Sequence, residues 1–274
     1  MCGRYGQTIH SIESWLDYRD MVLEDDVEFE DNYNVSHSNT TFILGYDELG
    51  KIRQLNASFG YRPYYGFEQD PKTKELIIDP ESGYPKFNYK KARASINARA
   101  EGKSGRDKIN EEDDPDYEGP FNIFRNSGFK SDALKHRCLI PVDYFIEGPE
   151  KERLDKPFLI ERQDKRPFSL GGFYSDILGQ RYMAIITTPA AKLLYEAVEH
   201  HRSPLVIPEE LEGSWLNPEA STDELESMLK RFDSAEYLAI PLGKEIKAPN
   251  NTKKPNNHAQ LITPAGEPIL GHTI

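Results

Sequence analysis

At 274 residues the chain can form one large domain or two small ones. It has no apolar run of about 18 residues to span a membrane and no secretory N-terminus. Cys2 and Cys138 are its only cysteines, too few for a disulfide framework or a four-sulfur zinc site. A soluble, reduced, cytoplasmic protein is therefore expected.

Taken in chain order, the first feature is an acidic run, Glu24 to Asp31, with six acids and no base. Thr41–Leu44 reads as a short strand. From Lys86 to Lys108 the chain carries eight cations (Lys86, Lys90, Lys91, Arg93, Arg99, Lys103, Arg106 and Lys108) against Glu101 and Asp107, a local +6. In a chain of net charge −12 that stretch is either a phosphate-binding face or a solvated loop balancing nearby acids. Lys103 to Glu118, with six acids from Glu111 onward, reads as a polar insertion in a loop. Strands are expected at Cys138–Ile146, Pro157–Ile160, Phe168–Tyr174, Tyr182–Thr188 and Tyr237–Leu242.

Two helices are signalled. Thr188-Pro189 offers an N-cap and first-turn proline before the apolar stripe Leu193, Leu194, Ala197 and Val198. Ser221 and Glu224 form a capping box before Leu225, Met228, Leu229 and Phe232. The tail after Ile246 is rich in Asn, Pro and Lys and shows little periodicity. Strands outnumber helices without alternating with them, which favours an α+β fold over a doubly wound sheet.

The terminus Met1-Cys2-Gly3-Arg4 carries the strongest chemical signal. Removal of Met1 would leave an N-terminal cysteine, with an amine of reference pKa about 7.7–8.0 and a thiol of about 8.5 on adjacent carbons. Such a 1,2-aminothiol condenses with an aldehyde to an imine and closes a thiazolidine, or attacks a carbonyl with its amine as base. A cysteine that stands near a terminus by accident is the bland reading. Four other places stand out. In Asn97-Ala98-Arg99 an amide and a guanidinium share a face if the piece is extended; it is otherwise an ordinary turn. Cys138 to Glu147 is an apolar strand ending in a carboxylate that could move protons or could simply begin a loop; Cys138 itself reads as core. His200 follows a helix whose dipole favours imidazolium, suiting a proton donor or a mere cap. Tyr33-Asn34-Val35 and Phe59-Gly60-Tyr61-Arg62-Pro63 offer stacking surfaces and a phosphate contact, or core edges. Adjacent His200 and His201 lack the spacing of helical metal ligands, and neither metal nor cofactor is expected.

In this order, Met1–Arg4, Tyr33-Asn34, Phe59 to Pro63, Asn97–Glu101, Cys138–Glu147 and His200–Pro204 resemble the motifs of the SRAP family, the SOS response-associated peptidase-like proteins. Ile185-Ile186-Thr187-Thr188 and Trp215-Leu216-Asn217-Pro218 fit as well. The resemblance covers roughly Cys2 to residue 250, with a charged insertion at about 103–118 and a tail over 251–274. It implies a single α+β domain with a mixed, mainly antiparallel, barrel-like β core flanked by helices, acting as a monomer away from membranes. It also implies recognition of abasic sites in single-stranded DNA and a covalent cross-link to them in the DNA damage response. Autoproteolytic loss of Met1, possible lyase activity and association with the nucleoid when bound to DNA go with it. By position, Cys2 is then the nucleophile, Asn97 holds the N-terminal residue and sugar, and Glu147 handles the amine and proton transfers. His200 is the acid/base for ring opening and reversal. Arg4 and Arg99 match phosphate-contacting arginines, Arg202 helps hold the pocket or the strand, and Phe59 keeps an aromatic face.

The chain departs from the family pattern in places. Phe59 stands where Trp is usual, Gly148 where Trp often follows the Glu, Ser203 for Met, and Ser36-His37-Ser38 for Ala-Pro-Thr. The chemical residues are kept and the DNA-facing ones have drifted, so cross-linking is expected to persist with altered affinity and a steep salt dependence. Two other classes compete. A class II amidotransferase-like N-terminal-nucleophile hydrolase also begins Met-Cys-Gly, and a non-catalytic single-strand-binding module would need no Cys2. A general protease is the weakest reading.

Overall fold

The structure, a computed structural model, describes residues 3–24, 27, 29–47, 49–102, 113–114 and 116–274. Met1, Cys2 and most of the expected Lys103–Glu118 insertion lie outside the described residues.

Fourteen strands among the described residues form two sheets. The first contains a closed ring of β3 (Thr40–Tyr46), β4 (Ile52–Phe59), β10 (Gln180–Pro189), β9 (Phe168–Ile177) and β6 (Arg137–Val142). A ring of five strands cannot alternate direction at every seam, so one seam must be parallel. It is β4 with β10, where Ser58 faces Tyr182 and Phe59 faces Met183; the other four are antiparallel. The α+β, barrel-like expectation holds. β10 runs on past the ring. There β5 (Asn97–Arg99) takes over one edge, and β11 (Arg202–Pro204) takes the other, so that Thr187 is flanked by Arg99 and Pro204. β12 (Val206–Ile207) lies along β9.

The second sheet is antiparallel, in the order β2 (Asn32–Val35), β1 (Arg4–Gln7), β7 (Tyr144–Glu147), β8 (Phe158–Arg162), β13 (Tyr237–Pro241) and β14 (Ile269–Leu270). The apolar run expected as one strand, Cys138–Ile146, is therefore two: it leaves the ring at Asp143 and enters the second sheet as β7. Period-two alternation divides the core. Cys138, Ile140 and Met183 join Tyr5, Phe145 and Ala239 of the second sheet, while Leu139, Ala184 and Ile186 join the helices. Cys138 is fully buried, and burial holds its thiol well above the ordinary range. After Ile246 the chain covers the edge of β2: Asn34 donates to the carbonyls of Ala248 and Asn256, and Asn257 accepts from Tyr33.

The helices are short. α1 (Ile9–Asp17) is capped by Thr8 and buries Ile12, Trp15 and Leu16, an i, i+3, i+4 stripe that the sequence reading passed over. α2 spans Lys130–Lys135 and α4 Glu212–Trp215. α3 (Lys192–Glu196) starts later than Thr188-Pro189 suggests, because those residues finish β10 opposite Ser203 and Arg202. Proline is tolerated at a strand end; the first-turn N–H of Leu193 is met by the Ser234 hydroxyl at 2.9 Å, and the Ser203 hydroxyl accepts the Ala191 N–H just before the helix at 2.7 Å. That gives the serine in the family's Met position a definite task. α5 (Thr222–Ser227) has the expected capping box but stops before Met228, Leu229 and Phe232, which are buried beyond it.

Asp143, at the bend between the sheets, has its pKa pushed up to about 6 by burial, despite hydrogen bonds from Ser11 and Thr8. A folded-state value above the unfolded one, about 3.9, means that stability is lost as pH rises from about 4 to 6. Asp143→Asn is expected to raise stability by at most about 2–3 kcal/mol at pH 7, with the gain vanishing below pH 4. Thermal melts of both proteins at the two pH values check this.

Candidate active site at the end of the N-terminal strand

β1 pairs with β7 so that Arg4 faces Ile146 and Tyr5 faces Phe145. This antiparallel register brings β1 into the sheet at the end of β7 that carries Glu147. Glu147 is buried, and its Oε1 lies 3.4 Å from His200 Nε2. Glu150, from the loop after β7, reaches the same nitrogen at 3.3 Å. Sequence reasoning missed Glu150, and nothing in its local sequence marks it.

The chain reaches His200 by a helix-ending turn. Glu199 takes a left-handed φ of 57°, and the His200 N–H donates to Leu194 C=O at 3.0 Å. His200 Nδ1 accepts the Arg202 N–H at 3.0 Å. A ring nitrogen that accepts an N–H carries no proton, so the neutral ring bears its proton on Nε2, aimed at the two carboxylates. Burial lowers the pKa of His200, outweighing the opposite pull of Glu147. This corrects the expectation of a favoured imidazolium: α3 has only five residues, and the desolvation of a fully enclosed ring exceeds its dipole.

Gly148 has a steric reason. A Cβ there would lie 1.9 Å from the Arg153 carbonyl oxygen, because the loop from β7 to β8 runs directly over it. No larger residue fits without moving that loop.

Asn97 opens β5 opposite Ile185. Both polar atoms of its amide are buried and have no hydrogen-bond partner among the described residues. Leaving a buried amide unsatisfied costs about 1–3 kcal/mol, so this amide is available to bond a group that enters the site.

The two motif arginines beyond it are differently employed. Arg202 grips Glu101 with both terminal nitrogens, at 2.8 and 3.0 Å, and donates to Thr187 C=O at 2.8 Å. Arg99 pairs with Asp113 and lies 3.7 Å from Glu101, and Arg202 stands 3.6 Å from Asp113. All four residues are buried. Arg99 and Arg202 are thus committed to carboxylates inside the protein, where they tie β5, its exit turn, β10 and β11 together. A phosphate contact for Arg99 is not what this arrangement provides. Glu101 stood in plain view within the Asn97–Glu101 motif, but its role was legible only once its partners met.

Arg4 turns onto the carbonyls of Gly3 and Lys247, at 3.0 and 3.2 Å, and so fixes the entry of β1. Phe59 is fully buried, with its ring edge-on to Tyr5 at 5.2 Å between centroids. It has no face for a base, because β4 is paired on both edges and the residue points into the shared core. Ser36 is buried and bonded to Asn39 and Asn250, and His37 lies against Gly60, whose φ of 136° admits no ordinary side chain.

The barrel-cored α+β fold and the sequence both have known counterparts. The family model described as SOS response associated peptidase (SRAP) matches residues 122–249, which hold Glu147, His200 and Arg202. The chain is 25% identical to the abasic site processing protein YoaM of Bacillus subtilis, covering 96% of this chain and 97% of YoaM. It is also 25% identical to abasic site processing protein YoqW of the same organism, covering 92% and 96%. A Bacteroides thetaiotaomicron protein of known structure shares the fold, with a TM-score of 0.66 at 20% identity over 96% of this chain and all of that one. A phage-related protein from Bordetella bronchiseptica shares it at 0.56, with 18% identity over 88% and 94%. These matches support the resemblance of the chain to the SRAP family. Among the described residues, no helix is long and apolar enough to cross a membrane.

Proposed function

We propose that this protein recognises abasic sites in single-stranded DNA and joins to them through Cys2 after Met1 is removed, shielding the lesion. The observation that carries the reading is the register of β1 on β7, which leads the N-terminal strand to the buried Glu147–His200 pair. The printed names of the relatives, abasic site processing proteins, point the same way.

An abasic sugar in its open form is an aldehyde. The Cys2 amine adds to C1′ and loses one water to give an imine. The thiol then adds across the C=N bond, sulfur to carbon and proton to nitrogen, and closes a thiazolidine. Met1 must come off by hydrolysis first, because an acylated amine cannot form the imine; we assign that step to the protein itself. Glu147 takes the proton that frees the amine, and His200 holds Glu147 and relays protons when the ring opens or the link reverses. The unpartnered amide of Asn97 holds the terminal residue and the sugar. The aminothiol supplies both nucleophiles, so the chemistry requires no cofactor. An amidotransferase-like hydrolysis would leave the Glu147–His200 pair without a task.

Met-processed protein incubated with an abasic oligonucleotide is expected to give a band shift that survives denaturation and is absent in Cys2→Ala. No such band from the processed parent would overturn the proposal.

A further inference from the structure

We propose that the excursion between β4 and β5 is an arm that holds single-stranded nucleic acid beside the site. Its placement rests on the reading above, but its chemistry stands by itself. Tyr61 and Ser95 exchange two backbone hydrogen bonds of 2.9 Å and close its neck, and β5 begins with Asn97 just beyond. Inside, the bridge Phe67–Phe87 encloses two small antiparallel turns, closed by the bridges Gln69–Leu76 and Ile78–Pro85. Phe67 and Phe87 pack with Tyr182 and anchor it to the ring.

The outer face of this arm is unusual. Tyr64, Tyr65 and Tyr89 are 54%, 69% and 58% exposed, although a folded chain normally turns such rings inward. They sit on neighbouring turns, because the Asn88 N–H donates to Gly66 C=O at 2.8 Å and Gly66 abuts Phe87 and Ala92. Lys90, Lys91 and Arg93 are exposed beside Tyr89. Arg62 lies over Tyr182, Phe87 and Tyr89, at 4.4, 5.5 and 5.9 Å from the ring centroids, and its buried Nε has no acceptor among the described residues.

Among the described residues, none of these four cations pairs with a carboxylate. Elsewhere surface arginines do: Arg53 with Glu24, Arg125 with Asp223 and Glu226, Arg162 with Asp164 and Glu236. Unpaired cations interleaved with exposed rings, in a chain of net charge −12, fit a polyanion that also offers flat faces. Single-stranded nucleic acid has both. A duplex hides its base faces, and an acidic protein segment would leave the rings unused. The basic stretch near residue 90 is thus a binding face on a folded arm, and it supplies the aromatic surface that Phe59 cannot.

The test is fluorescence anisotropy in the full-length Cys2→Ala background, which removes covalent chemistry. The probe is a labelled oligothymidine of about twenty nucleotides, longer than one binding site of this kind. Tyr64→Ala/Tyr65→Ala/Tyr89→Ala is expected to weaken binding by about 10-fold or more, and the matching triple Phe variant to bind like the parent. Lys90→Gln/Lys91→Gln/Arg93→Gln is expected to flatten the slope of log K against log salt by about 2. Parental binding by the Ala variant, equal loss in the Phe variant, equal affinity for duplex of the same length, or equal competition by polyglutamate would each overturn the arm. Cross-linking is measured separately, with Cys2 intact and an abasic oligonucleotide too short to reach the arm. A parent that fails there while the Ala variant still weakens oligothymidine binding sinks the cross-linking reading and upholds the arm.

Discussion

Glu147→Gln is expected to slow cross-link formation about 100-fold at pH 7, the scale on which a positioned general base contributes. Binding to the same oligonucleotide should change little. The α-amine of a terminal cysteine has a reference pKa of about 7.7–8.0, so at neutral pH most of it is protonated and cannot attack. On the proposed reading a carboxylate at the end of β7 takes that proton. Gln keeps the size of the side chain and can occupy the same place beside His200 Nε2, so the shape of the site survives while its basicity is lost. The pH profile separates this role from a structural one. The variant's rate should climb tenfold per pH unit up to about pH 8, as free amine appears unaided, while the parent's climbs less. An unchanged rate at pH 7, or parallel profiles offset by a constant factor, would remove Glu147 from the proton path.

The same pair shows what the sequence made legible. Glu147 announced itself as a carboxylate closing an apolar strand, and His200 as a histidine after a helix. Their meeting at 3.4 Å depends on β7 leaving the ring at Asp143 and on the left-handed turn at Glu199, neither of which has a periodic signature. Apolar runs such as Phe168–Tyr174 and Tyr182–Thr188 became β9 and β10 because their burial needs no knowledge of their partners. β1, β2 and β4 carry no such signal. Gly and Asn interrupt the first two, and polar Arg53, Gln54, Asn56 and Ser58 break up the apolar pattern of β4. Function was read from types of residue, and type misled where burial reverses its meaning. An arginine in the Asn97–Glu101 motif suggests phosphate, yet Arg99 faces inward, and Phe59, offered as a stacking surface, is core. The aromatic surface that is exposed sits on the arm at Tyr64, Tyr65 and Tyr89, where only tertiary placement reveals it.

Arg202→Met is expected to destabilise the protein by about 3–5 kcal/mol, because it strips Glu101 of its bidentate partner inside the fold. At roughly 2–4 °C per kcal/mol for a chain of this size, the melting temperature should fall by about 10 °C. The reciprocal change, Glu101→Gln, leaves two guanidinium groups facing Asp113 alone and should cost a similar amount. The double variant Glu101→Gln/Arg202→Met is the informative one. It removes one charge of each sign and leaves the Arg99–Asp113 pair balanced, so it should recover part of the loss instead of summing the two. A phosphate-binding Arg202 predicts the opposite pattern: a nearly unchanged melting temperature, weaker DNA binding with a flatter salt slope, and no rescue by Glu101→Gln. Stability that recovers in the double variant would place the arginines of the Asn97–Glu101 and His200–Pro204 motifs among the residues that hold β5 against β10, so that the amide of Asn97 stays where a ligand can use it.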